Sequence, residues 1–87
     1  MQVSSVDVDA SNRKVSMAVG ALDKMWSKRF QDIGERFAAP RVVRYERGGY
    51  TACGRIGSNN AQYCERDNTI YYDEVFVAGI TRMAGVS

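Results

Sequence analysis

Between Val15 and Phe37 the apolar residues Val15, Val19, Leu22, Trp26, Phe30, Ile33 and Phe37 recur in steps of four, three, four, four, three and four. Only an α-helix gathers residues with that spacing onto one side. About a third of this 87-residue chain is thereby committed to one amphipathic rod, beginning near Asn12, whose apolar stripe something else must cover. Lys14, Asp23, Lys24, Lys28, Arg29, Asp32, Glu35 and Arg36 fall on the other faces and keep them in water. Asp9 or Ser11 is placed to cap its start. Pro40 ends it, because the residue before a proline avoids the α region and proline has no N–H to give, with Gly34 loosening the last turn earlier. Trp26 and Phe30 read as part of the core face; a partner-binding or membrane-surface helix is the other reading. Residues 1–10 read as a polar arm. Their pattern Asp7-x-Asp9-x-Ser11 looks like the start of a calcium loop, but Asn12 and Ala18 stand where such a loop needs Gly and Glu.

What covers the stripe must come from the remaining residues. Arg41 to Arg47 is rich in β-branched and aromatic residues and predicts a strand, closed by a turn at Gly48-Gly49. Gly54 to Asn60 predicts loop, and the run TIYYD, Thr69 to Asp73, predicts a second strand. Asp73 is placed to cap a final helix through EVFVAGITRMAG. The expected class is α+β: a long N-terminal amphipathic helix packed on a small sheet, a stapled loop and a short C-terminal helix, with 11–87 as a single small domain. If the final helix lacks a cover, its apolar face at Val75, Phe76 and Ile80 favours self-association.

Charge narrows the partners. Twelve basic and ten acidic side chains leave a net charge of +2, interspersed along the chain. Nucleic acid is not the expected partner, since a basic footprint needs clustered Lys and Arg on one face. Arg41, Arg44 and Arg47 share their segment with Glu46 and read as a solvated strand edge. No stretch approaches the roughly 20 apolar residues of a membrane span, and the N-terminus shows neither a basic n-region nor an apolar h-region.

Both cysteines, Cys53 and Cys64, bracket a segment of turn-forming residues. A disulfide is easy there and would contribute about 3 kcal/mol on the chain-entropy model, a useful sum for so small a core. Buried free thiols are the alternative. Structural zinc or a cysteine nucleophile would ordinarily draw on histidine, and the chain has none. A disulfide implies an oxidising, extracytoplasmic compartment.

Trp26, Phe30, Gly34, Phe37, Pro40, Val42-Val43, then TACG from Thr51, Tyr63-Cys64 with Asp67, the run Ile70-Tyr71-Tyr72-Asp73 and Phe76 form an ordered set. The set resembles the N-terminal half of a bacterial family of neutral zinc metallopeptidases, some of them lipoprotein peptidases of actinobacteria. The likeness runs from about Val19 to Phe76; Ala61, Gln62 and Glu65 depart from the family's usual proline and aromatic residues around the second cysteine. It implies a partial zincin-like fold, a pairing of Cys53 with Cys64, and a strand at Thr69, Ile70, Tyr71 and Tyr72 whose free edge lies beside the cleft and pairs with extended substrate. In the family a later helix bearing His-Glu-x-x-His holds the zinc, and its glutamate acts on the bound water.

The expected function is therefore that of a non-catalytic N-terminal portion of a larger, extracytoplasmic metallopeptidase, secreted or tethered through a lipid anchor outside this chain. No catalytic or metal-binding residue is expected within it; zinc and the peptide or protein substrate are expected for the full-length protein. A stand-alone peptide- or protein-binding module that uses the same strand is the alternative.

Overall fold

The structure, a computed structural model, describes residues 3–84. It is α+β, in the order α1 (Ser5–Asp32), β1 (Arg41–Tyr45), β2 (Gly49–Thr51), β3 (Gly54–Ile56), β4 (Ala61–Cys64), β5 (Thr69–Asp73) and α2 (Glu74–Met83).

Helix α1 starts earlier than its apolar stripe. Ser4, not Asp9 or Ser11, is the N-cap: its hydroxyl accepts from the Asp7 N–H and the Asp7 carboxylate accepts from the Ser4 N–H, both at 3.1 Å. This reciprocal capping box satisfies two otherwise orphaned donors, and it turns residues 5–10 of the anticipated polar arm into helix. The start was hidden because the buried residues of α1 are Ser11 and Asn12, which are polar and leave no mark in the hydrophobic period. The other end also differs. Gly34, with φ +76°, ends the helix six residues before Pro40. The Gly34 N–H reaches the Gln31 carbonyl at 3.0 Å and the Glu35 N–H reaches the Phe30 carbonyl at 2.8 Å, a Schellman closure that requires a left-handed residue between them.

The main sheet has three strands in the order β1-β5-β4, β1 parallel and β4 antiparallel to β5. Strand β1 stops at Tyr45, short of Arg47, which takes a left-handed conformation with φ 69° before the glycine pair. Strand β5 occupies the span expected of it and is the most buried strand of the sheet, with Thr69, Tyr72 and Asp73 closed to solvent. The expected loop from Gly54 is in part a strand: β2 and β3 form a separate antiparallel hairpin with Ala52-Cys53 at its tip. Thr51 makes that turn by accepting from the Cys53 N–H (3.0 Å) and donating to the Gly54 carbonyl (2.9 Å) through one hydroxyl.

Register assigns the two faces. Val42 and Arg44, Ile70 and Tyr72, and Ala61 and Tyr63 share one; Val43 and Tyr45, Tyr71 and Asp73, and Gln62 and Cys64 share the other. The helices lie on the first, where the Tyr72 hydroxyl meets Asn12 of α1. The hairpin lies on the second, where Cys53 forms a disulfide with the fully buried Cys64, their Cα atoms 5.7 Å apart. The Tyr45 hydroxyl adds a tie by donating to the Gly57 carbonyl at 2.7 Å.

Asp73 joins sheet, loop and helix. One oxygen caps α2 by accepting from the Val75 and Phe76 N–H groups at 3.1 and 3.3 Å, and the other accepts from the Asn59 N–H at 3.0 Å. Of the segment read as the final helix, Glu74–Met83 is helical and Gly85 lies outside the described residues. Its Val75 and Ile80 side chains remain exposed, whereas Ala78 is buried.

Candidate functional site

Two edges of the three-stranded sheet are open among the described residues, and neither belongs to β5. The expectation that Thr69, Ile70, Tyr71 and Tyr72 offer a free edge fails, because β1 occupies one side of β5 and β4 the other. Those four residues instead anchor the interior. Thr69 is fully buried and its hydroxyl donates to the Asp67 carbonyl at 3.0 Å, Ile70 faces α1, and Tyr72 is bound to Asn12. The Tyr71 hydroxyl donates to the Asp67 carboxylate. That hydrogen bond, reinforced by burial and by the carboxylate's charge, raises the Tyr71 pKa above the ordinary tyrosine value.

The edges differ in chemistry. Strand β1 carries Arg41 and Arg44 and runs into Glu46 and Arg47, the kind of charge that discourages an added strand. Strand β4, Ala61–Cys64, carries no charged side chain. The Asp73 N–H reaches the Asn60 carbonyl at 3.0 Å, and in an antiparallel ladder the inward-bonding residues alternate. Gln62 and Cys64 therefore turn their backbone groups toward β5, while Ala61 and Tyr63 turn theirs outward. The Ala61 N–H is taken by the Asn60 side-chain oxygen at 2.9 Å. The outer edge thus presents the Ala61 carbonyl and both backbone groups of Tyr63.

Tyr63 also borders a groove of about 540 Å³ between the sheet and the second half of α1. Val19, Leu22, Trp26 and Phe30 line the helix side, Phe37 and Pro40 line the groove before β1, and Ile70 and Tyr63 form the sheet side. Three rings hold the wall in shape: Trp26 meets Phe30 edge-on with centroids 6.4 Å apart, and Phe30 meets Phe37 at 5.3 Å. The stripe expected to be core is therefore open in part: Leu22 is 51% exposed and Trp26 44%, while Val19, Phe30 and Phe37 are half-buried. The Tyr63 ring is fixed by its hydroxyl, which donates to the Asn68 side-chain oxygen at 2.8 Å, and Asn68 in turn donates to the Ala38 carbonyl at 3.0 Å.

The residues present do not fit a zinc ion. The sequence contains no histidine, both cysteine sulfurs are in the disulfide, and no group of three or more potential ligands converges among the described residues. No described helix is long and apolar enough to cross a membrane.

Sequence reasoning passed over β4. Four residues are too few to display alternation, and the turn formers on either side masked them. The signal it held was the dipeptide Tyr63-Cys64, whose cysteine fixes the strand from the face opposite the tyrosine.

No curated protein and no solved structure gives a significant match to this chain. A family model described as "Putative neutral zinc metallopeptidase" matches residues 2–86. The α+β fold, the disulfide and this match across nearly the whole chain agree with the resemblance carried by the Cys53, Cys64 and Asp73 motifs, and the chain belongs to the neutral zinc metallopeptidase family.

Proposed function

We propose that this chain is a non-catalytic part of an extracytoplasmic zinc metallopeptidase, contributing scaffold and the strand along which extended peptide substrate lies. One observation carries the reading: a member of a zinc peptidase family that has no histidine and, among the described residues, no zinc-ligand set. The metal and the water-activating glutamate then belong to polypeptide outside these residues, and the chain's contribution is to bind and orient. Strand β4 is the substrate strand, because its outer edge has unpaired backbone groups and no repelling charge, and a peptide pairs with such an edge through main-chain hydrogen bonds. The Cys53–Cys64 disulfide supports the extracytoplasmic setting and holds the C-terminal end of β4 in place. Anchoring to lipid through a segment outside the chain is compatible with this placement.

The test is the mass of the native polypeptide from its source, with sequence read beyond Ser87. Continuation into a helix bearing His-Glu-x-x-His is the expected result. A polypeptide without that motif removes the peptidase reading and leaves a peptide-binding module, which the open β4 edge would serve without any metal.

A further inference from the structure

We propose that the β4 edge selects extended peptides carrying a bulky apolar or aromatic side chain, which enters the groove between Tyr63 and Trp26. The inference rests on the reading of β4 as a peptide-binding edge and adds a specificity to it.

Two independent features meet at Tyr63. Its N–H and carbonyl point outward from the sheet, so a peptide added to β4 forms a hydrogen-bonded pair with this residue. Directly opposed residues in a ladder project their side chains to the same face, about 5 Å apart. The Tyr63 side chain lies on the face toward α1 and lines the groove. A peptide residue opposite Tyr63 is consequently aimed at the same space, and β4 being an edge leaves that side without a further strand. Phe37 and Pro40 line the groove next to the start of β1.

The lining chooses the chemistry. Val19, Leu22, Trp26, Phe30, Phe37 and Ile70 offer aliphatic and aromatic surface, with Asp23 and Arg36 the only charged residues on it. The volume lies within the range of pockets that take small ligands. A polar or charged peptide residue would lose its hydration there for few hydrogen bonds, whereas an aromatic one removes apolar surface from water on both sides.

Trp26 is the only tryptophan of these 87 residues and stands in the groove wall, so the part of the full-length protein's emission that Trp26→Phe removes reports on occupancy. The probes are an acetylated, amidated peptide Thr-Ala-Phe-Ala-Thr and its counterpart with Ser in place of Phe. The Phe peptide is expected to bind about tenfold tighter or more, to shift Trp26 emission to shorter wavelength, and to slow hydrogen exchange at the Tyr63 amide. Trp26→Ala, at a position already half open to solvent, should bring the Phe peptide down to the affinity of the Ser peptide, read by exchange. Equal protection of the Tyr63 amide by both peptides, with Trp26 emission unchanged, overturns the groove's role and leaves the edge reading intact. A Trp26 shift without protection at Tyr63 shows an apolar site unconnected to strand pairing and overturns the proposal. No effect from either peptide overturns both readings. Trp26 emission that depends on protein concentration in the absence of peptide assigns the groove to a second copy of the chain and likewise overturns it.

Discussion

The Tyr72 hydroxyl donates to the Asn12 side-chain oxygen at 2.6 Å, and the Asn12 amide donates to the Glu74 carboxylate at 2.8 Å. This relay ties α1, β5 and the first turn of α2 together across some sixty residues of chain. Its polarity is forced, because a carboxylate only accepts and so the Asn12 nitrogen must face Glu74. Asn12 and Tyr72 are both buried, and removing the shared partner strands the other two. Asn12→Ala should lower unfolding free energy by about 2 kcal/mol, and Tyr72→Phe, which keeps the Asn12–Glu74 bond, by about 1 kcal/mol. Urea unfolding followed by circular dichroism measures both; equal costs would show that Glu74 gains nothing from Asn12.

Cys53 and Cys64 stand 11 residues apart in sequence, Cys53 in the turn between β2 and β3 and Cys64 at the end of β4. Replacing both with serine should cost about 3 kcal/mol by the loop-entropy argument. The loss should also be local in character. Hydrogen exchange should accelerate first in β2, β3 and the end of β4, because the hairpin would then be held mainly by Tyr45 at Gly57 and by Asn59 at Asp73. Uniform acceleration through α1 would show instead that the hairpin and the helices unfold as one unit.

The contrast between β5 and β4 shows what the sequence could reveal. TIYYD is β-branched and aromatic with a capping aspartate behind it, so strand and cap were both legible at Thr69–Asp73. Its central position was not, since pairing on both sides depends on β1 and β4 and no local property reports them. Helix α1 was legible where packing is apolar and silent where packing is polar, at Ser11 and Asn12. The same stripe misled as to burial. Periodicity says which residues share a face, but Trp26 and Leu22 remain open because the three-stranded sheet does not reach over them. The radius of gyration, 14.6 Å, exceeds the about 12 Å of a compact domain this long, in keeping with a helix that overhangs its sheet.

Gly34 offers a test of how α1 ends. Its φ of +76° suits glycine, and a Cβ built there meets nothing within 4 Å. Gly34→Ala should therefore cost only the conformational penalty, about 1 kcal/mol, with no steric addition. A loss well above that would mean that the Schellman closure positions Phe37 and Pro40 for the groove, and Trp26 emission would then shift along with stability.

Titration should weaken the fold from both ends of the pH scale for opposite reasons. Burial raises the pKa of Tyr72, with the Glu74 charge adding to it and Arg44 opposing; burial and the Asp73 charge raise that of Tyr45; the bond to Asp67 raises that of Tyr71. A tyrosine whose folded value lies above its unfolded one, near 10, favours the folded state fully below that pH. As pH climbs past 10 the unfolded chain loses these protons first, so stability falls until the folded values are passed. Asp7 runs the other way. Hydrogen bonds from the Ser4 backbone and hydroxyl, with help from Arg82, hold its pKa below the ordinary carboxylate value, so its contribution is present above about pH 4 and is lost on acidification. Urea midpoints measured across the alkaline range should therefore decline above pH 10. Tyr72→Phe should flatten part of that decline and leave the acid limb untouched, whereas Asp7→Asn should do the reverse. An alkaline slope unchanged in Tyr72→Phe would assign it to Tyr45 and Tyr71, on the hairpin face of the sheet.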